Sequence, residues 1–312
     1  MDAGYWSKDK GLAMEEWESG KVRAERLNVI LFPSDYFDSA AVDPDLQVEY
    51  EAVKENEMLT PVLFSYEAWF EHGKLVLSNS VDSVSGAVYR GWMMKPEQYK
   101  QFYEALRKEK IYLVTHPDEY RTLHMFPNVY ERLREDSARI LLFPLHAPID
   151  ISLVRKSFPR FMVKDYVKSV KGTEFPKFFD ESTTQEEFDR WMEVFYKYRG
   201  DLLTGGICIK EYLDLKRYDG KTNEYRMFYA DGIGITLEPN SGQADFAPKP
   251  PRALLEKYCS LGSPFYTVDY AELADGSWKV IETGDGSVSG LSDRQDAKAF
   301  YRALYWAFKS EE

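Results

Sequence analysis

Apolar and polar positions alternate in short blocks along the chain, and the period of the blocks changes as the chain proceeds. Residues 27–32 (LNVILF) are a short apolar run stopped by Pro33, the pattern of a buried strand. Asp43-Pro44 opens a helical pattern that reaches residue 55, with the proline in the first turn, where its missing N–H is not needed. Strand patterns follow at 61–66, 74–78, 86–94 and 111–114; helical spacing covers 96–108 and restarts at Pro117. This alternation predicts a small layered α/β lobe over residues 27–135, preceded by a polar tail or short helix at 1–26.

Beyond residue 135 the pattern changes. Residues 161–167 read as a strand that carries Lys164 inside an apolar segment. Phe188, Trp191, Phe195 and Tyr198 recur at three- and four-residue spacing, which predicts an amphipathic helix over 184–198. Gly205-Gly206 breaks it and a strand resumes over 207–215. Two hairpins follow: 225–229 with 233–237 across Asp231-Gly232, and 265–272 with 278–281 across Asp275-Gly276. A proline turn at 248–251 precedes a helix at 253–259, and an aromatic helix over 296–308 follows the second hairpin. Runs of strands interrupted by isolated helices predict an α+β region over 136–312.

Composition narrows the function. Aromatic residues are 15% of the 312, so large side chains build much of the core, and the aromatic stripes leave a homodimer interface open. A net charge of −12 disfavours nucleic acid and anionic membrane as partners, although a local basic groove is compatible with it. Cys208 and Cys259 are too few for a disulfide framework or a cysteine zinc site. No apolar run reaches membrane-spanning length and the first residues lack a signal-peptide layout, so a soluble, cytoplasmic protein is expected. The four histidines show no metal-ligand spacing, and Ser169 and Ser289 have no evident triad partners.

The candidate chemistry lies in four places. Lys164 is followed by Lys168, Ser169, Lys171 and Gly172; cations and backbone N–H groups on such a loop suit phosphate, while the plainer reading is a lysine that snorkels to the strand end. No P-loop or dinucleotide-binding turn is present. The strand at 207–215 ends in polar residues, and the backbone of Glu211 and Leu213 could meet a purine edge, though edge strands often look this way. Glu224 and Arg226 share a face, either as an ion pair worth at most about 1 kcal/mol or as a phosphate contact and its orienting acid. Asp269, Glu282 and Asp285 fall at one end of the second hairpin, where they form either a solvated acidic surface or an oxygen site for Mg²⁺ bridging to phosphates.

Taken in order, a strand lysine with a cationic loop, a hinge-like strand, Glu-x-Arg, a strand Asp and a Glu at the next strand end resemble the ATP-grasp fold over roughly residues 136–308. Arg90 to Met93 (RGWM), Val163 to Ser169 (VKDYVKS) and Asp269 with Glu282 to Gly286 are similar to segments of a bacterial and phage ATP-grasp clade. The resemblance implies two α+β subdomains gripping ATP, with the α/β lobe in front of them. It implies Lys164 on the phosphates with Lys168 and Ser169 on the lid loop. Glu211, Tyr212 and Leu213 would lie at adenine, Glu224 and Arg226 at phosphate, and Asp269 and Glu282 on Mg²⁺. Many ATP-grasp enzymes have Glu-x-Asn where this chain has Glu282-Thr283-Gly284, and Asp285 is the expected substitute. The implied reaction is a carboxylate–amine ligation through an acylphosphate. Small-molecule carboxylates and amines, amino acids or peptides included, are the substrates, and Arg90 and Arg294 are expected to hold the acceptor. The alternatives are a nucleotide-binding module without turnover, and an ATP-dependent modifier of a protein or nucleic-acid end.

Overall fold

The computed structural model describes residues 27–81, 84–170 and 172–309; the expected tail at 1–26 and Lys171 lie outside them. Leu27–Pro33 (β1) is almost wholly buried because it is an inner strand with a core on each face. It pairs in parallel with Thr60–Phe64 (β2) and Ser85–Tyr89 (β3), and Ile111–Leu113 (β4) extends the sheet beyond β3. Period-two alternation sends Ile30 and Phe32 to one core, and Val29 and Leu31 to the other. Gln47–Lys54 (α1) covers the first face. Pro96–Lys108 (α3) covers the second, and Tyr66–Phe70 (α2) adds the buried Trp69 there. Parallel strands need such crossover helices, and both faces are therefore apolar.

Pro117–His124 (α4) and Phe126–Leu133 (α5) lead to a three-stranded antiparallel sheet, in the order Ile140–Phe143 (β5), Ile207–Glu211 (β7), Phe161–Asp165 (β6). Ile151–Ser157 (α6) and Gln185–Arg199 (α7) pack on it. The Thr184 hydroxyl caps α7 by accepting from Glu187 N at 3.1 Å. After the short pair Arg217–Tyr218 (β8) and Lys221–Thr222 (β9), a second antiparallel sheet follows. Its order is Ile233–Pro239 (β11), Glu224–Ala230 (β10), Phe265–Glu272 (β12), Trp278–Asp285 (β13). Arg252–Lys257 (α8) and α5 cover one face. On the other, Phe228 and Phe265 join Ala297–Ala307 (α9) and the first parallel-sheet core. That shared core ties the lobe to the antiparallel sheet.

The α+β architecture agrees with the sequence reading, and several elements differ in detail. Residues 74–78 form no strand; Leu77 makes a single bridge to Phe64. Strand β3 stops at Tyr89, before Arg90, and β7 stops at Glu211. Among the described residues no helix is long and apolar enough to cross a membrane.

Candidate functional site

The hairpin of β12 and β13 places Asp269 directly opposite Glu282, and β10 places Arg226 opposite Asp269 on the other side. Directly opposed residues share a face, so the three side chains form a row across the sheet. Arg226 grips Asp269 with both arms of its fork, Nε to Oδ1 at 2.8 Å and Nη2 to Oδ2 at 2.7 Å. Burial lowers the Arg226 pKa, but the Asp269 carboxylate outweighs it and holds the guanidinium above its usual value. From the three-stranded sheet, the buried Lys164 on β6 reaches over to Glu282, Nζ to Oε1 at 2.5 Å. The row therefore reads cation, acid, acid, cation, and it spans the two antiparallel sheets.

Lys210 joins it, and the sequence reading passed over this residue. It lies on β7, one step diagonally from Lys164 across the antiparallel pair, and so on the same face. Its ammonium donates to the Ile281 carbonyl and sits 4.1 Å from the Phe126 ring centroid, with Lys164 Nζ 5.4 Å from the same ring. Burial pushes Lys210 down to about 8, and Lys164 adds repulsion that Glu282 opposes. Nearby, burial together with Lys168 and Lys164 drives His124 down to about 3, so its ring is neutral. Three cations thus face two carboxylates, a surplus of positive charge suited to a polyanion. The acid pair offers the hard oxygen donors a divalent cation takes.

Other expected residues are placed elsewhere. Asp285 lies opposite Tyr266, which points into the core behind the sheet, so Asp285 faces away from Asp269 and Glu282. It is fully buried and accepts from Ser287 N at 2.9 Å, starting the short turn Gly286–Val288; burial raises its pKa to about 7. Arg90 is also buried. It makes a bidentate pair with Glu49 at 2.9 Å, and its Nη1 donates to the carbonyls of Gly286 and Ser289. Its donors serve the junction of lobe and hairpin rather than an open acceptor pocket. Arg294 is half exposed and pairs with Asp245 at 2.6 Å.

The loop after Lys164 is tighter than expected. Asp165 accepts from the N–H groups of Val167 and Lys168 at 2.7 Å each, and Arg199 holds its other oxygen. Those two N–H groups are therefore committed within the turn, and the loop's contribution comes from the cationic side chain of Lys168 and the half-exposed Ser169. At the end of β7, Glu211 forms a fork-to-fork pair with Arg139, the closer contact being 2.7 Å. Tyr212 packs on Phe178 at 4.6 Å between ring centroids, under the Arg160 guanidinium. Leu213 follows, half-buried. Glu224 accepts from the Thr222 hydroxyl two residues before it.

A family model described as an ATP-grasp domain, the third family of its clade, matches residues 153–304, which contain every member of the charged row. No curated protein sequence matches the chain. Among solved structures, D-cycloserine synthetase DcsG is similar at 16% identity and a TM-score of 0.58, over 90% of this chain and 100% of that one. The ATP-grasp ligase PsnB, complexed with a minimal precursor, Mg and ADP, is similar at 12% identity and a TM-score of 0.57, over 91% and 100%. D-alanyl-alanine synthetase A from Vibrio cholerae is similar at 10% identity and a TM-score of 0.57, over 92% and 100%. At such identities the likeness is one of fold. With the family match over the second half and the two facing antiparallel sheets that carry the row, the chain belongs to the ATP-grasp superfamily.

Proposed function

We propose that this chain is an ATP- and Mg²⁺-dependent ligase that activates a substrate carboxylate as an acylphosphate for attack by an amine. The observation that carries this reading is the continuous row Arg226, Asp269, Glu282, Lys164 across two sheets, with Lys210 beside it. Asp269 and Glu282 are the residues to hold Mg²⁺, which when bound neutralises phosphate charge and polarises the transferred phosphoryl group. Lys164, Lys210 and Arg226 supply N–H donors for phosphate oxygens, and Lys168 and Ser169 lie on the loop that follows Lys164. The backbone of Glu211 and Leu213, with Tyr212 against Phe178, is the place for adenine. Glu224, two residues before Arg226 on the same face, orients that side of the site.

In this reaction the substrate carboxylate oxygen attacks the terminal phosphorus and ADP leaves. The amine then attacks the acyl carbon and inorganic phosphate leaves, with the amine proton lost to solvent. Positioning and charge neutralisation do the work, so no nucleophilic side chain is needed. Arg294, half exposed beside the hairpin, is the arginine to meet the substrate carboxylate. The substrates are small carboxylates and amines, amino acids and peptides included. This class is supported by neighbours described as a D-cycloserine synthetase, a D-alanyl-alanine synthetase and a ligase bound to a precursor. The test is ADP release over a panel of amino acids and amines with Mg²⁺. Turnover in the wild type that is absent from Lys164→Met and Glu282→Gln supports the reading. Tight nucleotide binding with no ADP release on any acceptor replaces it with a binding module.

A further inference from the structure

Gly284 stands on the same face as Glu282, where many ATP-grasp chains carry an oxygen-bearing side chain. That place is already filled. A Cβ on Gly284 would lie 2.8 Å from Ser289 Oγ and 3.2 Å from Thr267 Oγ1, closer than van der Waals contact allows. Thr267 is opposite Gly284 in the register and two residues from Asp269, so its hydroxyl is on the face of the acid pair. The two hydroxyl oxygens are 2.8 Å apart.

Their proton bookkeeping makes them an acceptor unit. Ser289 Oγ donates to the Asp285 carbonyl at 2.9 Å, so the hydrogen between the hydroxyls comes from Thr267. Thr267 Oγ1 then keeps its lone pairs for an incoming donor. The loop that carries Ser289 is fixed from both sides: Arg90 Nη1 donates to the Ser289 carbonyl at 2.8 Å, and Arg226 Nη1 to the Gly290 carbonyl at 3.0 Å. Mg²⁺ held by one or two carboxylates keeps several waters, and those waters are strong donors.

We propose that the paired hydroxyls of Thr267 and Ser289 hold a water ligand of the divalent cation at Asp269 and Glu282, in place of a side chain at position 284. The inference rests on the ligase reading above, and it assigns Thr267 and Ser289 as positioning residues that act through the bound water. Outer-shell partners of this kind are worth about 10- to 100-fold in metal affinity.

The experiment is Mn²⁺ binding to the full chain in the presence of a non-hydrolysable ATP analogue, read by the electron paramagnetic resonance of free Mn²⁺. Thr267→Val removes the hydroxyl at nearly constant shape, Ser289→Ala removes its partner without touching β12, and Thr267→Ser restores the oxygen. Thr267→Val and Ser289→Ala are expected to weaken Mn²⁺ by about 10-fold or more while Thr267→Ser stays within about 3-fold of wild type, with metal-free analogue binding unchanged in all three. Wild-type Mn²⁺ affinity in both Thr267→Val and Ser289→Ala overturns this inference and leaves the ligase reading standing. A wild-type chain that takes up no Mn²⁺ with the analogue overturns the ligase reading and this inference together.

Discussion

The ammonium of Lys164 meets the carboxylate of Glu282 at 2.5 Å across 118 residues of chain, and the two partners are unequally buried. The lysine side chain is 2% exposed and the glutamate 42%. Removing one partner therefore strands very different groups. Glu282→Ala leaves a cation in the interior, and a buried charge without its partner costs about 3–5 kcal/mol. Water around Glu282 and the nearby Phe126 ring soften that to about 2–4 kcal/mol. Lys164→Met keeps the stem volume and leaves a glutamate that water can reach, for a loss of about 1 kcal/mol or less. Urea unfolding of the two variants checks the asymmetry; equal losses contradict it.

Arg90 offers a test of structure against binding. Its guanidinium pairs with Glu49, which also accepts from the Tyr301 hydroxyl at 2.6 Å, and it holds the carbonyls of residues 286 and 289. Lysine cannot reproduce a planar fork, so Arg90→Lys is expected to cost about 3 kcal/mol of stability. Because Arg90 is not at an open pocket, substrate KM in the surviving folded protein should stay within about 3-fold of wild type, a shift below about 0.7 kcal/mol. A large KM change with unaltered stability would return Arg90 to the acceptor site.

Lys210 gives a pH signature. Its folded pKa is about 8 against 10.5 for the free side chain. Between those values the unfolded chain binds more protons than the folded one, so stability rises with pH across that window. The full gain is about 3 kcal/mol, from roughly 1.4 kcal/mol per pKa unit. Nucleotide affinity moves the opposite way, falling as pH passes 8 and the ammonium is lost. Lys210→Arg keeps its charge and should flatten the binding profile between pH 7 and 9.5. A wild-type profile already flat over that range sinks the assignment of Lys210 to phosphate.

Much of this site was legible in the residues, and the omissions have physical causes. A hairpin turn at Asp275-Gly276 and period-two alternation suffice to bring Asp269 and Glu282 together, and Lys164 stands out as a cation in an apolar strand. The placement of Asp285 was also available, because residues three apart on a strand point to opposite faces. Lys210 escaped notice because in ICIKE it looks like the polar end of a strand; the Phe126 ring that covers it is 84 positions earlier in the numbering. Arg90 has the same difficulty, since Glu49 and Tyr301 leave no local trace beside it. Strand β5 and helix α6 are only 4 and 7 residues long, too short for their period to declare itself.

Asp285 provides the sharpest separation between the two faces of the hairpin. Its Oδ1 is satisfied by Ser287 N, while its Oδ2 is buried without a hydrogen-bond partner, and burial raises its pKa from 3.8 to about 7. Between those values the folded chain binds the extra proton, so stability falls as pH rises from about 4 to about 7. At pH 8 the charged form costs about 4 kcal/mol relative to a solvated carboxylate. Asp285→Asn keeps the acceptor for Ser287 and removes the charge, but buries an unsatisfied amide N–H₂ at a cost of about 1–3 kcal/mol. The net expectation at pH 8 is a gain of about 1–3 kcal/mol, shrinking to nothing or reversing below pH 4. Because the side chain points away from Asp269 and Glu282, Mn²⁺ affinity in the presence of the ATP analogue should be unchanged in the same variant. A variant that loses metal and gains no stability puts Asp285 among the metal ligands after all, and with it fails the argument from strand parity that separates the two faces.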